Sequence, residues 1–172
     1  MHIHVCPLSA LDELVAIHGP SHVVSLLGPH DMIDERSDLA PGRHLRVAIN
    51  DIVEPGDGLI LASADHAAEI VDFAIRWNTE APMIIHCWAG ISRSSAAAFI
   101  TLCALNPDVS ETDLAERLRN AAPFAKPNLH LVSLGDGVLG RSGRMQAAVE
   151  ALPDAGFRSI GQPFQVAARQ PA

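Results

Sequence analysis

Hydrophobic and polar positions along the chain switch repeatedly between a period of two and a period near 3.6. His2 to Leu8 (HIHVCPL) alternates as a short strand does. Ser9, three residues before Asp12, resembles a helix start, and Leu11, Leu14 and Val15 share one face of the helix it opens. Gly19-Pro20 and Gly28-Pro29 punctuate a second apolar run, Val23 to Leu27, which reads as a strand. The polar stretch HDMIDERSDLAPGR separates it from a third strand, HLRVAIND, ending at Asp51. After the loop EPGDG, Ser63 can cap a helix with Ala67, Ile70, Val71, Ala74 and Trp77 at helical spacing. Met83 to His86 is a short buried strand, and Ser94 to about Leu105 an alanine-rich helix. Ser110 with Asp113 opens another helix reaching about Ala121. Pro127 reads as the first residue of a last helical segment, interrupted by Gly135, Gly137 and Gly140 and running towards Leu152.

This alternation predicts an α/β fold. The expectation is a single domain over 1–152, with a mostly parallel four- to five-stranded central sheet flanked by helices. Residues 153–172, rich in Pro, Gly, Gln and Ala, are expected to form a loose tail. No internal repeat is visible. At 172 residues, with 48% hydrophobic and 19% charged content, the composition is that of an ordinary globular domain. The net charge of −8, from 12 basic and 20 acidic residues, argues against nucleic-acid and anionic-membrane partners. No apolar run approaches the about 18 residues of a membrane span, and MHIHVCPLS lacks the basic-then-apolar order of a leader, so a cytoplasmic location is expected. Cys6, Cys87 and Cys103 are an odd count at unpatterned spacing, which disfavours a disulfide framework. The oligomeric state is left open.

The segment PMIIHCWAGISRSSAAAFI, Pro82 to Ile100, concentrates the chemistry. Ligands of open parallel sheets bind beyond the carboxyl ends of strands, and Cys87 stands at such an end. The backbone N–H groups of Trp88, Ala89, Gly90, Ile91, Ser92 and Arg93 can converge on an anion at a helix N-terminus. Gly90 permits the curvature, and Arg93 offers a planar fork for two phosphate oxygens. The same positive surroundings would favour a Cys87 thiolate, and Ser94 is placed to donate its hydroxyl to it.

HCWAGISRSS resembles the His-Cys-x5-Arg-Ser/Thr signature of the cysteine-dependent protein tyrosine phosphatases, with GISRS most similar to their dual-specificity branch. The likeness extends more weakly over roughly residues 20–150. A low-molecular-weight tyrosine phosphatase would carry its signature near the N-terminus. A rhodanese-like arrangement also uses Cys-x5-Arg late in the chain, but the upstream acid considered next favours the dual-specificity order. The resemblance implies a phosphotyrosine protein phosphatase II-like fold and metal-independent, cofactor-free phosphomonoester hydrolysis through a cysteinyl-phosphate. It also makes His86 a buried organiser of the loop. The partner implied is a phosphorylated protein or small phosphomonoester. The loop interior carries no Lys or second Arg, which disfavours polyphosphorylated inositol lipids.

Such chemistry needs a general acid. Asp51, 36 residues before Cys87 (87 − 51), matches the family's pattern of strand, then aspartate. Asp57, on the glycine-rich loop 30 residues before Cys87 (87 − 57), is the alternative. Two other functions stay open: a non-catalytic phosphate- or phosphopeptide-binding module on the same fold, and a metal-dependent hydrolase using His2 and His4. His2, His4 and Cys6 alternate, as ligands on one strand face do, but no second ligand cluster accompanies them, so no metal is expected. Cys6 and Cys103 read as small buried hydrophobes. Trp88 is either pocket wall or core. PFAKPN (123–128) resembles the segment joining the helices after the signature in that family, but a turn and helix start is its stronger reading. Arg141 and Arg144 could contact a phosphate, but more often such a pair is a solvated helix face.

Overall fold

The computed structural model describes residues 1–169. Five strands form one sheet in the order β3-β2-β4-β1-β5. They are β1 (His2–Pro7), β2 (His22–Leu27), β3 (His44–Ala48), β4 (Met83–Cys87) and β5 (Phe164–Ala167). β4 pairs in parallel with β1 and β2, β2 with β3 likewise, and only β5 runs antiparallel, against β1. Among the described residues six α-helices accompany them: α1 (Leu11–His18), α2 (Ala64–Arg76), α3 (Arg93–Leu105), α4 (Glu111–Ala121), α5 (Leu129–Val138) and α6 (Arg144–Glu150). Among the described residues no helix is long and apolar enough to cross a membrane.

The sheet separates two apolar layers, because successive side chains of a strand point to opposite faces. On one face Cys6, Val23 and Ile84 pack under α1 through Leu11 and Leu14. On the other, Val24, Leu26, Ile85 and Cys87 join the larger core shared with Phe73, Phe99, Ile100 and Leu131. β2 and β4 are buried over their full lengths, which explains why they are mostly apolar, broken only by the buried polar residues His22, Ser25 and His86. α3 is sheathed on every side, with Ala96 to Cys103 buried. Its alanines let neighbouring helices come close, while Phe99, Ile100 and Leu102 each contribute about 1.5–3 kcal/mol of burial.

Two expectations are corrected here. The segment beyond Pro153 is not loose throughout: Phe164–Ala167 pairs with His2 to Val5, and Val166 and Ala168 are buried. Four residues between Gly/Pro/Gln-rich stretches are too few to display a period, so the edge of β1 decides their structure. Residues 170–172 of that expected tail lie outside the described residues. The last helical segment is two helices, split where Gly140, Ser142 and Gly143 take positive φ values. Asp136 then accepts the Gly143 and Met145 N–H groups at 2.7 and 2.8 Å and starts α6. The segment begins with α5 at Leu129 rather than at Pro127, and Asn128 caps it, its side-chain oxygen accepting from Leu131 N at 3.0 Å.

Candidate active site

β4 delivers Cys87 to the carboxyl edge of the sheet, and residues 88–92 curl from there into α3. The Gly90 N–H donates to Cys87 Sγ at 3.2 Å, and Ser94 Oγ lies 3.1 Å from the same sulfur. Gly90 is obligatory on two grounds. Its φ is +71°, and a Cβ there would stand 2.5 Å from Pro7 N and 2.7 Å from the Cys6 carbonyl carbon.

The orientation of the loop amides follows from where its carbonyls are held. Trp88 O accepts from Leu8 N at 3.2 Å, Ala89 O from Gly161 N at 2.8 Å and Ile91 O from Lys126 N at 3.0 Å. Ser92 O accepts from Ala96 N at 2.9 Å and Asn128 N at 3.3 Å. In a trans peptide the carbonyl and the following N–H point in opposite directions, and no cis bond is present among the described residues. With these carbonyls anchored to the framework outside, the N–H groups of Ala89, Gly90, Ser92 and Arg93 turn away from it, to the concave side of the loop. The N-terminus of α3 adds its partial positive charge there. The result is an anion cradle with a thiol at its base.

Arg93 is buried, its Nη1 donating to Ile49 O at 2.8 Å. Its Nε is buried without a hydrogen-bond partner and lies 4.0 Å from Asp51 Oδ2. A buried donor of this kind is uncommon and calls for an acceptor such as a bound oxyanion. Asp51 sits just past β3, partly exposed, with Oδ1 accepting from Ser92 Oγ at 2.7 Å and Asn128 Nδ2 at 3.0 Å. Thus Cys87, Arg93, Ser94, Ser92 and Asp51 lie in one connected constellation. A groove of about 700 Å³ opens beside it, walled by Ile52, Val53, Pro127, Leu129 and Leu152.

His86 is fully buried, Ser25 Oγ standing 2.6 Å from its Nε2. Burial holds its pKa down at about 4. Burial also pushes the Cys6 and Cys103 thiols up to about 12, so both stay protonated and unreactive at neutral pH.

Other candidate residues lie elsewhere. Asp57 is exposed on its loop. Trp88 points outward at 55% exposure, so it is not core. His2 is exposed while His4 is buried and stacked on His18 at 4.0 Å. Among the described residues no group of three or more His, Cys, Asp or Glu is placed to hold a metal ion. Arg141 is not on a solvated face: it is buried and paired with Glu111 at 3.0 Å, and Arg144 reaches the same carboxylate at 3.2 Å. The pair ties α6 to α4 and takes no part in the site.

No protein-family model matches the sequence, and no curated protein is significantly similar to it. Solved structures do match. DUSP15 aligns over 90% of this chain and 94% of its own with a TM-score of 0.61 at 18% identity. The PTP-2 phosphatase of Cydia pomonella aligns over 78% and 84%, with 0.58 at 23% identity. PTPMT1, solved in complex with PI(5)P, aligns over 86% and 91%, with 0.59 at 13% identity. The chain has the fold of these phosphatases. The mostly parallel sheet between helices, expected with four to five strands and found with five, is the architecture of these dual-specificity phosphatases. Within that fold, sequence reasoning passed over Ser25, Asn128 and Gly161. Asn128 had a visible signal, since PFAKPN stood out as a motif, whereas a serine inside a buried strand and a glycine in a low-complexity stretch carry none.

Proposed function

We propose that the protein is a cysteine-dependent phosphomonoester hydrolase of the protein tyrosine, dual-specificity type. The single observation that carries this reading is the cradle: four loop amides turned inward over the Cys87 thiol, beside a buried Arg93 Nε that has no acceptor. Cys87 attacks phosphorus in line, forming the S–P bond as the P–O bond to the leaving group breaks. The amides of residues 88–93 and the Arg93 guanidinium hold the equatorial oxygens and gather the charge that develops on them. Asp51 gives its proton to the leaving oxygen. Water, deprotonated by the same Asp51, then attacks phosphorus, and the S–P bond breaks to release phosphate and a thiolate that Ser94 steadies. The hydrogen bonds from Ser92 and Asn128 favour Asp51 over the exposed Asp57 for this role, because they aim a carboxyl group at the loop. His86 organises the base of the loop.

The substrate is a phosphorylated protein or a small phosphomonoester. The cradle contains one guanidinium and no lysine, enough for a single phosphate dianion, and the net charge of −8 offers no general attraction for polyanions. The apolar groove beside Asp51 suits the organic part of the leaving group. All three cysteines are free and buried, which accords with a reducing, cytoplasmic location.

Turnover of 4-nitrophenyl phosphate tests the proposal. Hydrolysis should persist in EDTA, stop with vanadate and vanish in Cys87→Ser. Activity surviving in Cys87→Ser would overturn it. A phosphopeptide that binds and is never cleaved would point to the binding module, and loss of turnover in EDTA to a metal hydrolase.

A further inference from the structure

Beneath the loop, on the α1 face of the sheet, lies a buried file of polar side chains that spans three strands. Ser25 on β2 stands directly beside His86 on β4 in the parallel register, and His44 on β3, two residues out of register with Ser25, reaches its hydroxyl diagonally. His86 and Ser25 are 0% exposed and His44 8%. The contacts are continuous: Arg36 N to His44 Nδ1 at 3.0 Å, His44 Nε2 to Ser25 Oγ at 2.8 Å, and Ser25 Oγ to His86 Nε2 at 2.6 Å.

We propose that Ser25 and His44 are positioning residues for the Cys87 loop, forming a one-way hydrogen-bond relay that fixes His86 as the neutral tautomer with its proton on Nδ1. This rests on Cys87 being the nucleophile. The direction follows from the first contact alone. A main-chain N–H can only donate, so His44 Nδ1 accepts and carries no proton. The His44 proton is then on Nε2 and goes to Ser25 Oγ. That hydroxyl, already accepting, donates its own proton to His86 Nε2, and the one proton of a neutral His86 is left on Nδ1. An imidazolium at position 86 is incompatible with the arrangement, because two Nε2–H groups would face the same hydroxyl, whose proton would have no acceptor.

The origin of the relay is held firmly. The Arg36 guanidinium grips Asp38 through Nε at 2.9 Å and Nη2 at 2.7 Å, and reaches Asp12 on α1 at 2.7 Å. At the far end, His86 Nδ1 makes no formed hydrogen bond, and the ring interacts with the Cys87 main chain. A fixed tautomer there presents the positive end of an N–H dipole to the nucleophile's residue, whereas the other tautomer would present a lone pair and disfavour a thiolate. Cys6, Asp12, Arg36, His44, Arg46 and Asp38 are the titratable or charged neighbours of the relay, and Asp51 and Arg93 those of the cradle. Ser25→Ala leaves all of them in place, so what changes reports the hydroxyl.

Two measurements test this without substrate, so they stand even if no phosphatase activity is found. Long-range ¹H–¹⁵N spectra of the imidazoles should show His86 as the Nδ1–H tautomer and His44 as the Nε2–H tautomer at pH 7. Alkylation of Cys87 by iodoacetamide as a function of pH should give a higher thiol pKa in Ser25→Ala. Because the thiolate is the reacting species, a tenfold rise in its proton affinity slows alkylation about tenfold on the acidic side of the profile. Ser25→Thr should retain the wild-type profile, and His44→Phe should move it in the direction of Ser25→Ala. Finding His86 as Nε2–H in the wild type overturns the relay outright, and needs no variant to fold. So does a folded Ser25→Ala with unchanged tautomers and alkylation, or a His44→Phe indistinguishable from the wild type.

Discussion

Asn128 donates from Nδ2 to Asp51 Oδ1 at 3.0 Å while its own Oδ1 accepts the Leu131 N–H that opens α5. One side chain thus joins a helix start to the carboxylate expected to serve as acid. The Ser92 hydroxyl, on the same Asp51 oxygen at 2.7 Å, links that carboxylate to the loop.

The two roles of Asn128 are separable. In Asn128→Asp a carboxylate oxygen can still cap α5, but the Nδ2 donor to Asp51 and Ile52 is lost and two carboxyl groups face each other, so thermal stability should fall by about 1–3 kcal/mol with α5 still formed. The new charge beside Asp51 raises the affinity of Asp51 for its proton, so the basic limb of the pH–rate profile should move to higher pH. An unchanged profile in a folded Asn128→Asp would separate Asn128 from the acid.

Asp51→Asn should lower kcat on an aryl phosphate by about 10²–10⁴ and abolish the descending basic limb, as loss of a general acid does. Asp57→Asn should leave both kcat and the profile at wild-type values. The reverse pattern would transfer the acid role to the glycine-rich loop.

Gly161 is the outer support of the cradle. Its N–H holds Ala89 O at 2.8 Å, and a Cβ would stand 2.7 Å from Phe124 and 2.9 Å from Gly90 O. Gly161→Val should therefore cost about 1–3 kcal/mol in stability by overpacking. It should also weaken vanadate binding, because the Ala89–Gly90 peptide loses its anchor. Calorimetry and vanadate titration check the two effects, and tight vanadate binding in a destabilised variant would confine Gly161 to packing.

Stability should fall as pH drops from about 6.5 to 4. His4, His22, His44 and His86 all have pKa values held down at about 4, for each chiefly by burial. In the unfolded chain they take up protons near 6.5, so between these values the unfolded state binds more protons and acid favours it. For the fully buried His86 the full effect is roughly 3 kcal/mol. Urea unfolding at a series of pH values measures it, and a flat response between pH 7 and 4.5 would show that these rings are charged in the folded state.

Much of this was legible in the one-dimensional pattern. Mostly apolar runs at 23–27 and 83–86 marked central strands because both faces of such strands are buried, and the spacing of Cys87, Gly90, Arg93 and Ser94 marked the loop because its chemistry is local. Capping serines at 63 and 110 announced helix starts for the same reason: the partner of a cap lies three residues away. What depends on distant chain segments was silent. Whether Phe164–Ala167 becomes a strand depends on the free edge of β1, at the other end of the chain, and a buried role for Arg141 depends on Glu111 across two helices. The His44–Ser25–His86 file likewise exists only because β3, β2 and β4 lie side by side. The sequence by itself determined the elements other than β5, and the Cys87–Arg93 loop, since these are written in neighbouring residues. The tertiary structure decided which carboxylate, amide and hydroxyl stand at that loop and at His86 beneath it, because hydrogen bonds act over about 3 Å and only folding brings residues 51, 128 and 161 to the loop and residue 25 to His86.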